Sequence, residues 1–155
     1  MYDVTATGEL LIDFTRNGLS EQNNRIYEAN PGGAPCNVLA MLGKLGYKTA
    51  FIGKVGDDEF GKLLKNTISE QKIDSTGLVM DSDAKTTLAF VDNDETGDRS
   101  FSFYRKPGAD MMLREDEVNY ELIDNCRIFH FGSLSMTDEP VRSATYAMVD
   151  YAKKK

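Results

Sequence analysis

A pair of adjacent glycines marks the point at which the hydrophobic pattern of this chain becomes helical. Gly32 and Gly33 are followed by Ala34-Pro35-Cys36-Asn37, and proline suits the first turn of a helix because no intrahelical partner awaits its missing N–H. Apolar residues then recur at helical spacing, which predicts a stripe that faces the core: Val38, Met41, Leu42 and Leu45. Gly46 stands where glycine commonly ends a helix. The chain therefore enters a helix directly from the glycine pair.

Strand and helix patterns alternate along the first half of the chain. Residues 3–8 and 49–53 are short runs typical of buried strands, and a further short strand is predicted at 77–80. Asp57-Asp58-Glu59 places three acids where a second helix begins, at the end that favours negative charge. Residues 15–30 are polar and turn-rich. The order strand, helix, strand, helix indicates an α/β fold built of βαβ units around a parallel sheet.

The segment from 86 to 105 has a different pattern, which predicts a β-hairpin. Residues 87–91 and 100–104 are rich in β-forming side chains and flank a turn-rich loop at 93–98. Strand periodicity puts Phe101, Phe103 and Arg105 on one face. That face could cover a binding site. The alternative is an edge ribbon that buries the two phenylalanines and uses Arg105 in a surface ion pair.

The composition bounds the class of protein and its partners. A chain of 155 residues can form one domain, and its formal net charge of −7 disfavours a nucleic-acid or anionic-membrane surface. The longest apolar run, residues 38–42, is far shorter than the roughly 20 residues that span a bilayer. Cys36 and Cys126 lack a metal-type spacing, and no secretory leader is recognisable. We therefore expect reduced thiols and a cytoplasmic protein.

Motif searches narrow the chemistry. The chain contains no G-x-x-x-x-G-K-[ST] phosphate loop, H-E-x-x-H zinc motif or G-x-S-x-G nucleophile elbow, and no G-x-G-x-x-G follows its first strand. Asp13, the glycine pair and Asn37 are instead predicted at the carboxyl edge of the sheet, where α/β folds bind ligands. A carboxylate and an amide beside glycines can orient the hydroxyls of a sugar. The alternative is that the glycines serve only helix packing, with Asp13 in a turn.

The glycine-pair segment, followed by Gly46 and Gly56, resembles the N-terminal signature of the ribokinase/PfkB family of carbohydrate kinases. Residues 8–13 and 101–110 are similar to its bacterial fructokinase branch. The resemblance implies a ribokinase-like three-layer α/β sandwich with a small β-hairpin lid. Residues 1–155 would be the N-terminal part of a single domain, with lid segments at about 14–31 and 86–105. Leu39 departs from the small residue usual in the family, which we interpret as a packing variation.

The resemblance also implies roles for particular residues. Asp13, Gly32, Gly33 and Asn37 would hold sugar hydroxyls, while Phe103 and Arg105 would reach the sugar from the lid. Lid segments in this family commonly mediate homodimers.

The implied reaction transfers the γ-phosphate of ATP to a sugar hydroxyl, with fructose as the expected sugar, and Mg²⁺ bridges the phosphates. The family's general base is an Asp in a Gly-Ala-Gly-Asp segment, which is not found here. Gly108-Ala109-Asp110 lacks the second glycine and follows the lid hairpin. We therefore assign no catalytic or metal-ligating residue to this chain and expect it to be inactive alone. It would carry the sugar site and the lid, without the nucleotide site.

Two other functions remain open at the level of sequence. Tyr104 and Arg105 resemble the lid of 2-keto-3-deoxygluconate kinases, and arginine could pair with the carboxylate of that sugar acid. Alternatively, the chain could be a noncatalytic sugar-binding module or one subunit of a split enzyme.

Overall fold

The computed structural model describes residues 1–93 and 99–155. Within these residues, eight strands and four helices follow one another, together with three short 3-10 turns at Ala109–Met112, Glu115–Glu117 and Ser133–Met136. In chain order these elements are β1 (Tyr2–Thr7), β2 (Leu11–Leu19), β3 (Arg25–Gly32), α1 (Ala34–Lys44), β4 (Thr49–Gly56), α2 (Glu59–Glu70), β5 (Ile73–Asp81), β6 (Leu88–Asn93), β7 (Arg99–Tyr104), α3 (Glu121–Asp124), β8 (Cys126–Phe131) and α4 (Val141–Ala152).

The main sheet has the order β5-β4-β1-β8, and all three of its strand pairs are parallel. One of its two central strands, β4, is buried along its whole length, and alternate residues face opposite layers. Phe51 packs with Leu39 of α1 and Leu64 of α2, whereas Ile52 packs with Leu122 of α3 and Met148 of α4. Helices therefore cover both faces of the sheet, which confirms the predicted α/β arrangement.

The predicted inward stripe of α1 is wrong at three of its four positions. Val38, Met41 and Leu45 are 43%, 58% and 67% exposed, while Leu39 is fully buried. Apolar residues occur all around this helix, so periodicity alone does not choose a face. The buried face of α1 instead carries Pro35, Cys36 and Leu39. A Cβ built on Gly132 would lie 2.8 Å from Cγ of Pro35, so this ring is packed closely against the end of β8. Gly46 has φ 91° after the helix, as predicted.

A second sheet has the order β3-β2-β6-β7. The pairing of β2 with β6 is parallel, and the two outer pairs are antiparallel. Residues 15–30, which we interpreted as turn-rich, instead form most of β2 and β3. Their polar composition reflects exposure, because much of this hairpin faces solvent. The predicted hairpin at 86–105 is confirmed as β6 and β7, but its turn lies, apart from Asn93, outside the described residues.

A buried lysine joins the main sheet to the segment that precedes α3. Lys54 of β4 is 2% exposed, and its Nζ lies 3.0 Å from an Asp81 carboxylate oxygen and 2.7 Å from one of Glu117. It also donates to the carbonyl of Met112 at 3.1 Å. The backbone N–H groups of Ala84 and Asp83, followed by Lys54, lower the pKa of Asp81 to about 2. These bonds hold residues 109–117 against the carboxyl ends of β4 and β5.

Strand β8 forms one edge of the main sheet and pairs only with β1 among the described strands. Its Ile128 is 60% exposed and its Phe131 is 38% exposed. Such exposure is unusual for a parallel sheet, whose strands are normally covered on both faces. Within residues 1–93 and 99–155, no helix has the length and apolar character needed to cross a membrane.

The corrected orientation of α1 leads to a test. Leu39→Ala should lower the free energy of unfolding by about 2–5 kcal/mol, because it leaves a cavity in the core. Met41→Ala removes a mostly exposed side chain and should change that free energy by no more than about 0.5 kcal/mol. Urea denaturation with linear extrapolation measures both values. Equal losses would contradict the assignment.

Candidate functional site

One row of residues crosses all four strands of the second sheet. Asp13 of β2 lies opposite Asn30 of β3 on one side and Ala89 of β6 on the other, and Ala89 in turn lies opposite Phe103 of β7. Directly opposed residues project from the same face of a sheet. Asp13 and Phe103 therefore share a face, with the small, buried Ala89 between them. Two of the predicted site residues, from segments far apart in sequence, are thus brought together.

The glycine pair makes room for two different neighbours. A Cβ built on Gly32 would lie 3.0 Å from Cγ of Asp13 and would overlap its carboxylate. Gly33 has φ 123°, and a Cβ there would overlap the carbonyl of Glu9 and lie 3.2 Å from Cα of Leu10. The packing role considered in the sequence analysis is therefore real at both positions. Partial burial also raises the pKa of the Asp13 carboxyl above its usual value.

The first turn of α1 receives its cap from another part of the chain. Gly33 precedes the helix and has no side chain with which to cap it. Instead, the Ala34 N–H donates to Oε1 of Glu9 at 2.9 Å, and Glu9 is only 6% exposed. Sequence analysis did not identify Glu9 as a site residue. No local signal could have done so, because its partner belongs to an element that follows two intervening strands.

Asn37 and Arg105 line different cavities. Asn37 is exposed on α1 and lines, with Gly32, a cavity of about 240 Å³ between α1 and α2. Arg105 lines, with Phe103, Met111 and Leu134, a cavity of about 390 Å³. The predicted residues thus form two groups. The two groups are connected through Asp13, which lies against Gly32 and shares a face of the second sheet with Phe103.

Arg105 forms a largely buried ion pair. Its Nε and Nη2 donate to Oδ2 of Asp110 at 2.8 and 2.7 Å, and the Thr87 hydroxyl donates to the other oxygen of that carboxylate. The side chains of Arg105 and Asp110 are 11% and 1% exposed. The alternative of a surface ion pair is therefore wrong about exposure. Asp110, the acid of the rejected Gly108-Ala109-Asp110 segment, is engaged by Arg105 and Thr87.

The phenylalanines of β7 are not buried. Phe101 and Phe103 are 52% and 55% exposed, and their rings stack on one another with centroids 6.0 Å apart. The alternative of a ribbon that buries both side chains for stability is therefore wrong. Their common face, predicted from strand periodicity, agrees with the ring stacking.

The opposite face of the second sheet attaches it to the main body. Phe14 of β2 stacks on Phe90 of β6 at 5.0 Å and meets the edge of Phe60 on α2 at 5.5 Å. Asp58 begins α2 by accepting from the Gly61 N–H at 2.8 Å, and it also accepts from the N–H of Thr86 at 2.9 Å. Although burial raises it, these bonds lower the pKa of Asp58 overall. The start of β6 is thereby tied to α2.

No group of three or more metal-ligating side chains occurs among the residues that the structure describes. Comparison with known proteins identifies the family of this chain. The description "pfkB family carbohydrate kinase" matches residues 1–155. The chain belongs to this family.

Relatives of this pfkB chain include plant and bacterial fructokinases. It is 46% identical over 152 residues to probable fructokinase-5 of Arabidopsis thaliana, an alignment that covers 97% of this chain and 47% of that protein. Fructokinase from Xylella fastidiosa superposes with a TM-score of 0.92 at 36% identity, over 99% of this chain and 48% of that one. The same enzyme with bound ATP gives 0.91 at 35% identity, over 99% and 49%.

A further structure, fructokinase from Vibrio cholerae O395 with fructose, ADP and calcium bound, superposes with a TM-score of 0.83 at 32% identity, over 99% of this chain and 48% of that one. These superpositions confirm the predicted ribokinase-like α/β fold. The chain spans about half the length of the curated relatives it matches.

The ion pair of this pfkB chain yields a stability test. Asp110→Ala should lower the free energy of unfolding by about 3 kcal/mol, because it leaves the Arg105 guanidinium largely buried without its carboxylate. Asp116→Ala is the matched control, since its partner Arg114 is 56% exposed and Asp116 itself is 73% exposed. That loss should not exceed about 1 kcal/mol. Chemical denaturation compares them, and losses of equal size would exclude a special role for the buried pair.

Proposed function

We propose that the protein is a sugar kinase that transfers the γ-phosphate of ATP to a hydroxyl of fructose, and that this chain supplies the sugar-binding part and the lid. The observation that carries the proposal is the position of Asp13. Its half-buried carboxylate lies against Gly32 and shares a face with Phe103. The names of the relatives, which include fructokinases at 46% and 45% identity, support fructose as the acceptor.

The proposed sugar contacts follow from the chemistry of each group. Asp13 accepts hydrogen bonds from sugar hydroxyls, and Asn37 can both donate and accept. Gly32 and Gly33 keep the wall beside Asp13 free of side chains. Phe103 offers an exposed ring to the apolar face of the sugar ring from the lid, which comprises the segments at 14–31 and 86–105.

Arg105 is proposed to act from the same lid. Asp110 accepts hydrogen bonds from its Nε and Nη2, and Arg105 lines the same cavity as Phe103. Its role would be to donate a hydrogen bond to the sugar without contributing net charge, because the adjacent carboxylate neutralises it.

ATP and Mg²⁺ are proposed to bind a C-terminal half like that of the relatives, which also supplies the general base. Structures of related kinases with ATP or ADP bound support the use of this nucleotide. The exposed Ile128 and Phe131 of edge strand β8 offer a surface that a C-terminal half can cover.

The kinase proposal is tested with a coupled ADP-release assay. The complete protein should phosphorylate fructose with ATP and Mg²⁺, whereas residues 1–155 alone should show no sugar-dependent turnover. Asp13→Asn should raise the KM for fructose about tenfold or more, because it removes a charged acceptor. Asp57→Asn, at an exposed acid outside the site, is the control. Turnover by residues 1–155 alone, or an Asp13→Asn enzyme with unchanged KM, would contradict the proposal.

The same assay separates the two other candidates. A 2-keto-3-deoxygluconate kinase would prefer the keto-acid to fructose, and Arg105 would pair with the acid's carboxylate. The bond to Asp110 weighs against this, since the guanidinium already has a carboxylate partner. A noncatalytic or split-subunit module would bind sugar without turnover and would require a separate complementary chain for activity.

We also propose a homodimer formed through the lid, in the cytoplasm. The dimer is supported by Phe101, which is half exposed on β7, an edge strand of the second sheet. The location is supported by the two cysteines, which are both free. Phe101→Glu should shift the molar mass measured by light scattering from dimer to monomer, since charge on an apolar contact opposes association. Tyr146→Glu, at a side chain 51% exposed on α4, should leave the mass unchanged. A monomeric wild-type protein would disprove the dimer, and cell fractionation tests the location.

A further inference from the structure

The amino end of α1 depends on a carboxylate from outside the helix. An N-cap residue normally accepts a hydrogen bond from the first turn through its own side chain. Here the N-cap is Gly33, no acid lies in the first turn, and Pro35 has no N–H. The Ala34 N–H donates to Oε1 of Glu9 at 2.9 Å. Glu9 therefore replaces the missing cap from the turn between β1 and β2.

The other oxygen of this carboxylate is an unusual feature. Oε2 of Glu9 is buried and finds no hydrogen-bond partner in residues 1–93 and 99–155. A Cβ built on Gly132 would lie 3.0 Å from it, so the end of β8 closes over this atom. Burying a carboxylate with one hydrogen bond is costly. The positive end of the α1 dipole offsets part of that cost, and the remainder calls for a functional reason.

The contacts around Glu9 connect both walls of the proposed sugar site. The Gly33 backbone lies directly over Glu9 and Leu10, and the Asn37 N–H donates to the Gly33 carbonyl at 3.0 Å. A displacement of Ala34 therefore carries Asn37 with it. On the other side, Leu10 leads at once into β2, which carries Asp13.

We propose that Glu9 is a positioning residue, which holds the first turn of α1, and with it Gly33 and Asn37, in place beside the strand that carries Asp13. The role rests on the proposed sugar-kinase function for its kinetic consequence. The structural part, the hold of Glu9 on Ala34, stands independently of the substrate. Glu9 itself is assigned no contact with the sugar, because its side chain is buried, its Oε1 accepts from Ala34 and its Oε2 is enclosed.

Three variants of the complete protein test the role. Glu9→Ala removes the acceptor, Glu9→Gln keeps an acceptor oxygen but removes the charge, and Glu70→Ala alters an exposed acid at the end of α2. Backbone hydrogen exchange of residues 32–37 is measured without sugar. Glu9→Ala should accelerate exchange at Ala34 about tenfold or more, because that N–H loses its partner. Glu9→Gln should remain within about threefold of wild type, and Glu70→Ala should not differ.

Kinetics supply the second readout. Glu9→Ala should raise the KM for fructose about tenfold with a smaller change in kcat, because misplaced binding groups weaken ground-state and transition-state contacts alike. Glu9→Gln should recover most of that loss. A folded Glu9→Ala protein with wild-type exchange at residues 32–37, or with accelerated exchange but an unchanged KM, would overturn the proposal.

The two proposals fail separately. A wild-type protein without fructose phosphorylation would disprove the proposed function, and the exchange data would still decide whether Glu9 holds α1. If Glu9→Ala does not fold, Glu9→Gln provides the test. A folded Glu9→Gln protein that loses both exchange protection at Ala34 and affinity for fructose would show that an amide oxygen cannot replace the carboxylate. That result would overturn the proposal that the hydrogen bond from Ala34 positions α1.

Discussion

The approach of the Gly33 backbone to the chain at Glu9 and Leu10 is the contact on which the arrangement of the site depends. A side chain at Gly33 would collide with the Glu9 carbonyl, and its φ of 123° is one that glycine adopts without strain. The contact brings the end of β3, the start of α1 and the turn between β1 and β2 into one small volume. The positions of Asp13 and Asn37 both follow from it.

The local sequence pattern is sufficient to predict the fold class. It is insufficient to predict the environment of a residue whose contacts come from a distant segment of the chain. The alternation of strand and helix periodicities identifies the parallel sheet, because each period reports its own element. Periodicity predicts the wrong face of α1, because apolar residues surround the helix and its buried face is set by packing against distant segments such as the end of β8. Asp13 and Phe103 could be named from the sequence and the family resemblance. Their common face depends on the pairing of β2 with β6, which no local pattern encodes.

Several acidic side chains of this negatively charged chain hold separate segments of the fold together through hydrogen bonds. Glu9, Asp58 and Asp110 each receive hydrogen bonds from a segment distant in sequence, namely from Ala34, Thr86 and Thr87. Asp81 belongs to the same class, and backbone amides, first that of Ala84, lower its pKa to about 2. A lowered pKa in the folded state stabilises the protein above the usual pKa of a carboxyl, and this contribution is lost as the pH falls toward 2. These carboxylates therefore stabilise the folded state in addition to contributing to the negative charge of the protein.

The parallel pairing of β2 with β6 also constrains how the protein reaches its fold. Parallel neighbours need a long crossover connection, and here the crossover from β2 to β6 contains β3, α1, β4, α2 and β5. The two hairpins of the second sheet can each form locally, but they join only after those intervening elements have packed. Contacts of this kind close late, because the entropy of the connecting chain must be overcome first. The second sheet, which carries Asp13 and Phe103, is therefore completed only after the intervening elements have packed, and it is not a separable module.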